Sequence, residues 1–405
     1  MSKLLEIALG IVTSIGGFLE AGSITTSAQA GATFGYELLW TLAVGVLALV
    51  ALIEMSGRLS AVSQRTYTDL LRERFGARFF VLPLVAVVLV SFLVLASEIG
   101  GTCVALQLAS GVEARWWAVP VALLCWLLLW KGTFSVVEKG SALLGLVGVA
   151  FVVGAVRLGV HWPLAARDLL PSLPAHDGAK YWFLVVNIIG ASVSPYLLVF
   201  YSAGAVEERW DRSYLRTNQA VAVLGMSFGG VLAAAVLLSA AMVLHPRGIS
   251  VDSFHQVALT VATPLGHPGF VLFIITLAVA CFGAAAEISL AIAYMLAQGF
   301  GWRWSEDARP RKNARFALSY TVAIALAGIV MLAGVDPVKL TNVSMALTAM
   351  SLPITVIPLA VIMNDRETLG RNVNGWFGNV VLAVVSVLSI VLMLAALPLQ
   401  LLGGG

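Results

Sequence analysis

Charge is what this 405-residue chain has least of. Charged residues make up 11%, against roughly 25% in a soluble domain. Hydrophobic residues reach 60% and mean hydropathy is +0.96, which excludes an ordinary water-soluble domain and makes the lipid bilayer the main partner. The net charge of +3 is scattered over connecting segments, so it gives no sign of nucleic-acid binding, and no nucleic-acid partner is expected. Cysteine is scarce: Cys103, Cys125 and Cys281 all fall inside apolar stretches, which points to buried thiols and against a disulfide framework. No histidine is expected within the membrane. All five histidines lie around the connecting segments 159–180 and 246–267, too scattered for a zinc site. No cleavable signal peptide is apparent. No HExxH, Walker A or GxSxG motif occurs, and no nucleophile–base pair can be read. An integral-membrane enzyme is therefore disfavoured, and no cofactor is implied.

What is present is a series of eleven apolar stretches, near 8–29, 37–57, 79–110, 116–131, 138–158, 181–205, 217–245, 268–300, 315–335, 341–363 and 374–402. Each is close to or above the ~20 residues a helix needs to cross a bilayer. With the amino terminus inside, eighteen of the 24 Lys and Arg fall on the cytoplasmic side, including the run Arg309, Arg311, Lys312 and Arg315. Six fall outside: Arg115, Arg157, Arg167, Lys180, Arg247 and Lys339. That bias predicts a cytoplasmic amino terminus and an exported carboxy terminus.

Two stretches do not behave as plain spans. The first, Thr13 to Tyr36, reads TSIGGFLEAGSITTSAQAGATFGY. Gly16, Gly17 and Gly22 interrupt it, Glu20 sits near its middle, and Ser23, Thr25, Thr26, Ser27 and Gln29 follow. A mid-bilayer carboxylate costs several kcal/mol unless it is paired, hydrated or bound to something. A broken helix is tolerated there only where its freed backbone lines a protein cavity. The sixth stretch reads NIIGASVSPYLLVFYSAGAVEE from Asn187 to Glu208. Gly190, Ala191, Ser192, Ser194 and Pro195 lie near its centre, and proline removes a backbone donor. The bland alternative is a proline kink with glycines for helix packing. Two interrupted spans five helices apart, however, occupy corresponding positions in inverted halves. That pattern marks a transporter's substrate site. The expected architecture is an all-α membrane protein of eleven helices, with an inverted repeat in 1–160 and 181–365 and an extra helix at 374–402.

Several ordered motifs on separate stretches are similar to those of the Nramp family of divalent-metal transporters. AGATFGYELLW, Ala30 to Trp40, resembles the family's segment after its DPGN motif, which places Glu20, Ala21, Gly22 and Ser23 on DPGN itself. SEIGGTCVALQL, Ser97 to Leu108, is similar to AEVIGTAIALNL. GASVSPY, Gly190 to Tyr196, falls on GATVMPH, and SLPITVIPL, Ser351 to Leu359, resembles QLPFALIPL. Asn364-Asp365 and Leu369-Gly370 fall on the family's SD and MG. The resemblance implies the LeuT-like fold, with helices 1 and 6 broken and a cytoplasmic amino terminus.

It also implies a site, and the site departs from the family. Glu20 stands for the metal-binding aspartate of DPGN, Ser23 for the asparagine, and Ser194 for the methionine of MPH. The binding carbonyls would belong to Ala191 and Gly17. The family's glutamine of the tenth span falls on Met345. With the thioether of the broken helix gone, oxygen donors remain. Carboxylate, carbonyl and water suit Mg²⁺, Ca²⁺ or Mn²⁺ better than soft ions.

The proton machinery changes too. An acidic residue of the family's third span falls on Leu95, and the histidine of MPH falls on Tyr196. A further family histidine falls on Tyr201. Glu98 is kept. Glu287 in the eighth span is new, and reads either as a site or relay carboxylate or as a buried acid hydrogen-bonded to a neighbour. The expectation is a divalent-cation carrier with weak or absent proton coupling. The competing reading is a carrier of the same fold for a small organic solute. A non-transporting receptor on the same scaffold would carry no cytoplasmic signalling domain here.

Overall fold

The computed structural model describes residues 19–131, 146–174, 176–306 and 309–403, and every regular element in them is helical. We number the main helices α1 (Ala21–Phe34), α2 (Leu39–Ser63), α3 (Tyr67–Ser110), α4 (Ala114–Trp130), α5 (Val149–Leu158), α6 (Gly178–Ser192), α7 (Pro195–Glu207), α8 (Leu215–Val243), α9 (Phe254–Gly299), α10 (Ala314–Leu332), α11 (Pro337–Ile362) and α12 (Trp376–Gly403). Among the described residues, eight segments are long and apolar enough to cross a membrane, with α6 and α7 together forming one. Helices α4 and α5 are shorter apolar helices.

Three boundaries differ from those the hydrophobic pattern predicts. The first stretch was expected to end at residue 29, yet α1 runs to Phe34, closed by Gly35 at φ +61°. The third was expected to begin at 79. Helix α3 begins at Tyr67, where Thr66 caps the Asp69 N–H, and bends at Gly76 with φ +79°. The connecting segment 246–267 is helical from Phe254 onward, and α9 bends at Gly266 with φ +67°. In both long helices a glycine at positive φ redirects the chain without ending it. A count of polar residues reads such a junction as a loop.

The core places the two interrupted spans at the centre. Helix α1 packs on α8 and α6, with α11, α9 and α3 also against it. Helix α7 packs on α2, α9 and α3. The span formed by α6 and α7 is 94% buried in its most apolar window, whereas the window in α12 is 28% buried and faces outward.

Polar ties fix the two ends differently. On one side, Arg58 donates to the Asn372 carbonyl at 2.7 Å and the Asn374 Oδ1 at 2.6 Å, and pairs with Glu54 at 3.0 Å. Arg72 donates to the last carbonyls of α9, at Gln298 (2.8 Å) and Gly299 (3.2 Å). There a cation complements the negative helix end. On the other side, Gln29 donates to the Val251 carbonyl at 3.1 Å, and the His245 ring meets the Ala32 carbonyl at 3.0 Å.

Candidate functional site

The break between α6 and α7 follows directly from one proline. In a continuous helix the Ala191 carbonyl would accept from the N–H four residues on. That residue is Pro195, which has no N–H to give. The helix closes at Ser192 with the Val193 N–H on the Ile189 carbonyl (2.8 Å), and Ser194 is extended (φ −88°, ψ 126°) before α7 starts. Ala191 is thereby left with an open carbonyl at the negative end of a half-helix. That is the kind of group that coordinates a cation in discontinuous spans. The Ser194 hydroxyl reaches back only weakly, 3.5 Å to the Gly190 carbonyl.

The start of α1 is built by a different device. Leu19 and Glu20 form a bend, Glu20 is extended (φ −129°, ψ 176°), and α1 begins at Ala21. Gly22 and Ser23 therefore lie inside the first helical turn rather than in the interruption. Ser23 acts as a cap: its hydroxyl accepts from the Glu20 N–H at 3.0 Å and donates to the Glu20 carbonyl at 3.1 Å. The Ala21 N–H, orphaned at the helix start, is taken by both carboxylate oxygens of Glu98 on α3, each at 3.1 Å. Glu98 thus anchors the positive end of α1. Gly17 lies outside the described residues.

The two breaks meet at Glu20. Its side chain is 1% exposed. One oxygen, Oε2, accepts from the Tyr196 hydroxyl at 2.7 Å, across from α7. The other, Oε1, has no hydrogen-bond partner among the described residues. Tyr196, two residues after Ser194 at the start of α7, therefore ties Glu20 to the end of the α6–α7 break. Glu98 and Glu287, both buried, lie within electrostatic reach of the Tyr196 phenol. Met345 on α11 is fully buried and presses on both breaks. Among the described residues no three His, Cys, Asp or Glu side chains are grouped to hold a metal. Any cation at this junction must combine Glu20 with carbonyl, hydroxyl or sulfur donors.

One polar residue was passed over in the sequence. Asn187 on α6 is 0% exposed, and neither its Oδ1 nor its Nδ2 finds a partner among the described residues. It sits one turn before Ala191 on the same helix face. An amide inside a span this apolar was the available signal.

Continuous helices feeding two central breaks define the LeuT-like class of membrane transporter folds. Solved structures share this architecture. The manganese transporter of Eremococcus coleocola superposes with a TM-score of 0.77 at 19% identity, covering 97% of this chain and 86% of that one. Mhp1, a nucleobase-cation-symport-1 family transporter, superposes with a TM-score of 0.64 at 16% identity, covering 98% and 91%. The family model "Natural resistance-associated macrophage protein-like" matches residues 10–398, and the chain belongs to the Nramp family. A curated relative, the divalent metal cation transporter MntH of Deinococcus radiodurans, is 26% identical over 94% of this chain and 87% of its own length.

Proposed function

We propose that this chain carries a divalent metal cation across the membrane by alternating access, with its amino terminus cytoplasmic. The observation that carries the reading is Glu20 Oε1, buried and without a hydrogen-bond partner among the described residues, at the start of α1 beside the break between α6 and α7. A buried carboxylate oxygen without a donor costs about 1–3 kcal/mol or more, and a cation removes that cost. The Ala191 carbonyl adds a neutral oxygen donor and Ser194 a hydroxyl. The donors of the two breaks alone suit Mg²⁺ or Mn²⁺. Family membership and the MntH relative support a metal as the cargo. Tyr196, standing at the junction where the family has a histidine, supports weak proton coupling.

Glu20→Ala tests this reading. By calorimetry on the purified protein, Mg²⁺ and Mn²⁺ binding should weaken at least about tenfold, or 1.4 kcal/mol. In liposomes loaded with a metal-sensitive dye, flux should vanish. An unchanged flux in Glu20→Ala would refute the site. The competing cargo is a small organic solute, since the Mhp1 structure of the same fold holds bromovinylhydantoin. Wild-type protein that binds no divalent ion, yet takes up an organic solute, would establish that alternative.

A further inference from the structure

Two electron-pair donors approach the start of α1, the Met345 thioether and Glu20 Oε1, and the latter has no hydrogen-bond partner among the described residues. Met345 is 0% exposed. Its backbone carbonyl lies 2.2 Å from where a Cβ on Gly190 would stand, so α11 is pressed onto the last turns of α6. Its side chain reaches toward the other break. Met345 Sδ lies 2.8 Å, and Cε 2.7 Å, from where a Cβ on Gly22 would stand. The same point is 3.3 Å from Glu20 Oε1, the unpartnered oxygen. Only a glycine at 22 leaves this space open. A thioether has no proton to give, and neither has an ionised carboxylate. A cation between them satisfies both.

We infer that Met345 is a ligand of the transported ion, supplying from α11 the thioether that Ser194 does not supply from the break. The inference rests on the metal-carrier reading and changes what it implies for selectivity. Oxygen donors alone would disfavour soft ions, whereas a thioether selects for them. The site therefore accepts Cd²⁺ as well as Mn²⁺ and Mg²⁺. Methionine also fills irregular gaps in apolar cores, and a filler role makes a different prediction under substitution.

The experiment uses the full chain with Cys103, Cys125 and Cys281 changed to alanine. Cys281 Sγ lies beside Gly101 on the face of α3 next to Ala21 and would otherwise bind Cd²⁺ itself. Met345→Leu keeps the volume and removes the donor. We expect Cd²⁺ affinity to fall at least tenfold while Mg²⁺ affinity changes less than threefold. Gly22→Ala, which displaces the thioether, should shift selectivity the same way. Equal losses for both ions, or no change, would overturn the inference and leave the carrier reading intact. A cysteine-free protein that binds neither Mg²⁺, Mn²⁺ nor Cd²⁺ would overturn both. If the leucine variant does not fold, cadmium X-ray absorption on the cysteine-free protein decides. A sulfur scatterer is expected, and an oxygen-only shell refutes the ligand.

Discussion

Tyr196 holds Glu20 by one oxygen and leaves the other open, which makes the phenol a lever on the site. In Tyr196→Phe, Oε2 loses the phenol's hydrogen bond while remaining buried, a loss of about 1–3 kcal/mol. The metal-free protein should melt at a lower temperature. Saturating Mn²⁺ should raise the melting temperature by more than it does in wild type, because the ion can then take both oxygens. Thermal unfolding in detergent, with and without metal, checks this. Tyr196→His puts a group that titrates near pH ~6.5 within reach of the same carboxylate. Metal influx into liposomes holding a pH dye should then acidify the lumen more than wild type does. At this scale the sequence disclosed Glu20, because a carboxylate in an apolar stretch is conspicuous on its own. It disclosed Tyr196 only as a missing histidine. The bond between them joins residues 176 positions apart, and local pattern holds no record of it. Asn187 was obscure for the same reason, and Met345 was legible only through the family's glutamine at its position: an amide and a thioether become informative when their neighbours are known.

At the scale of elements, the two broken spans have unlike causes, and this decides which was easy to place. The interruption at Pro195 is written in the chain, since the residue that lacks a donor is itself the signal. At the start of α1 the anchor comes from another helix, since Glu98 takes the Ala21 N–H, and no local pattern records that. Glu98→Ala should expose this dependence. It leaves the buried Ala21 N–H without an acceptor, a loss of about 1–3 kcal/mol, whereas Glu98→Gln keeps an acceptor oxygen and should lose less. Packing around the breaks is tested by three glycines. An added Cβ would stand 2.1 Å from the Leu237 carbonyl at Gly31 and 2.2 Å from the Met345 carbonyl at Gly190. In both places backbone is the obstacle, and overpacking of this kind costs about 1–3 kcal/mol. At Gly204 nothing lies within 4 Å. Gly204→Ala should therefore stabilise α7 by up to about 1 kcal/mol through helix propensity. Denaturation of the three alanine variants should separate the first two from the third.

For the molecule as a whole, the relevant feature is the sign of its buried charge. Among the described residues, every charged side chain that is fully buried is acidic: Glu20, Glu98, Asp168 and Glu287. Asp168, which follows the helix Trp162–Arg167, pairs with the exposed Arg167 at 3.0 Å, and no buried Lys, Arg or His accompanies the three glutamates among the described residues. The general plan, apolar spans with two central interruptions, was legible because hydropathy and proline act locally. The bends at Gly76 and Gly266 were not, because glycine in a helical run becomes a hinge only in its tertiary setting. An acidic interior also bears on how the carrier is driven. A cell's membrane potential, negative inside, does work on any net charge that crosses it. Each elementary charge moved through 100 mV gains about 2.3 kcal/mol. A divalent ion carried alone gains about 4.6 kcal/mol, which is roughly a thousandfold accumulation at 1.4 kcal/mol per decade. A carrier that moved the ion without a proton would still concentrate its cargo on voltage alone. Uptake should then follow a potassium diffusion potential set with valinomycin, rising as the lumen is made more negative, and collapse when the potential is dissipated while the pH gradient is held.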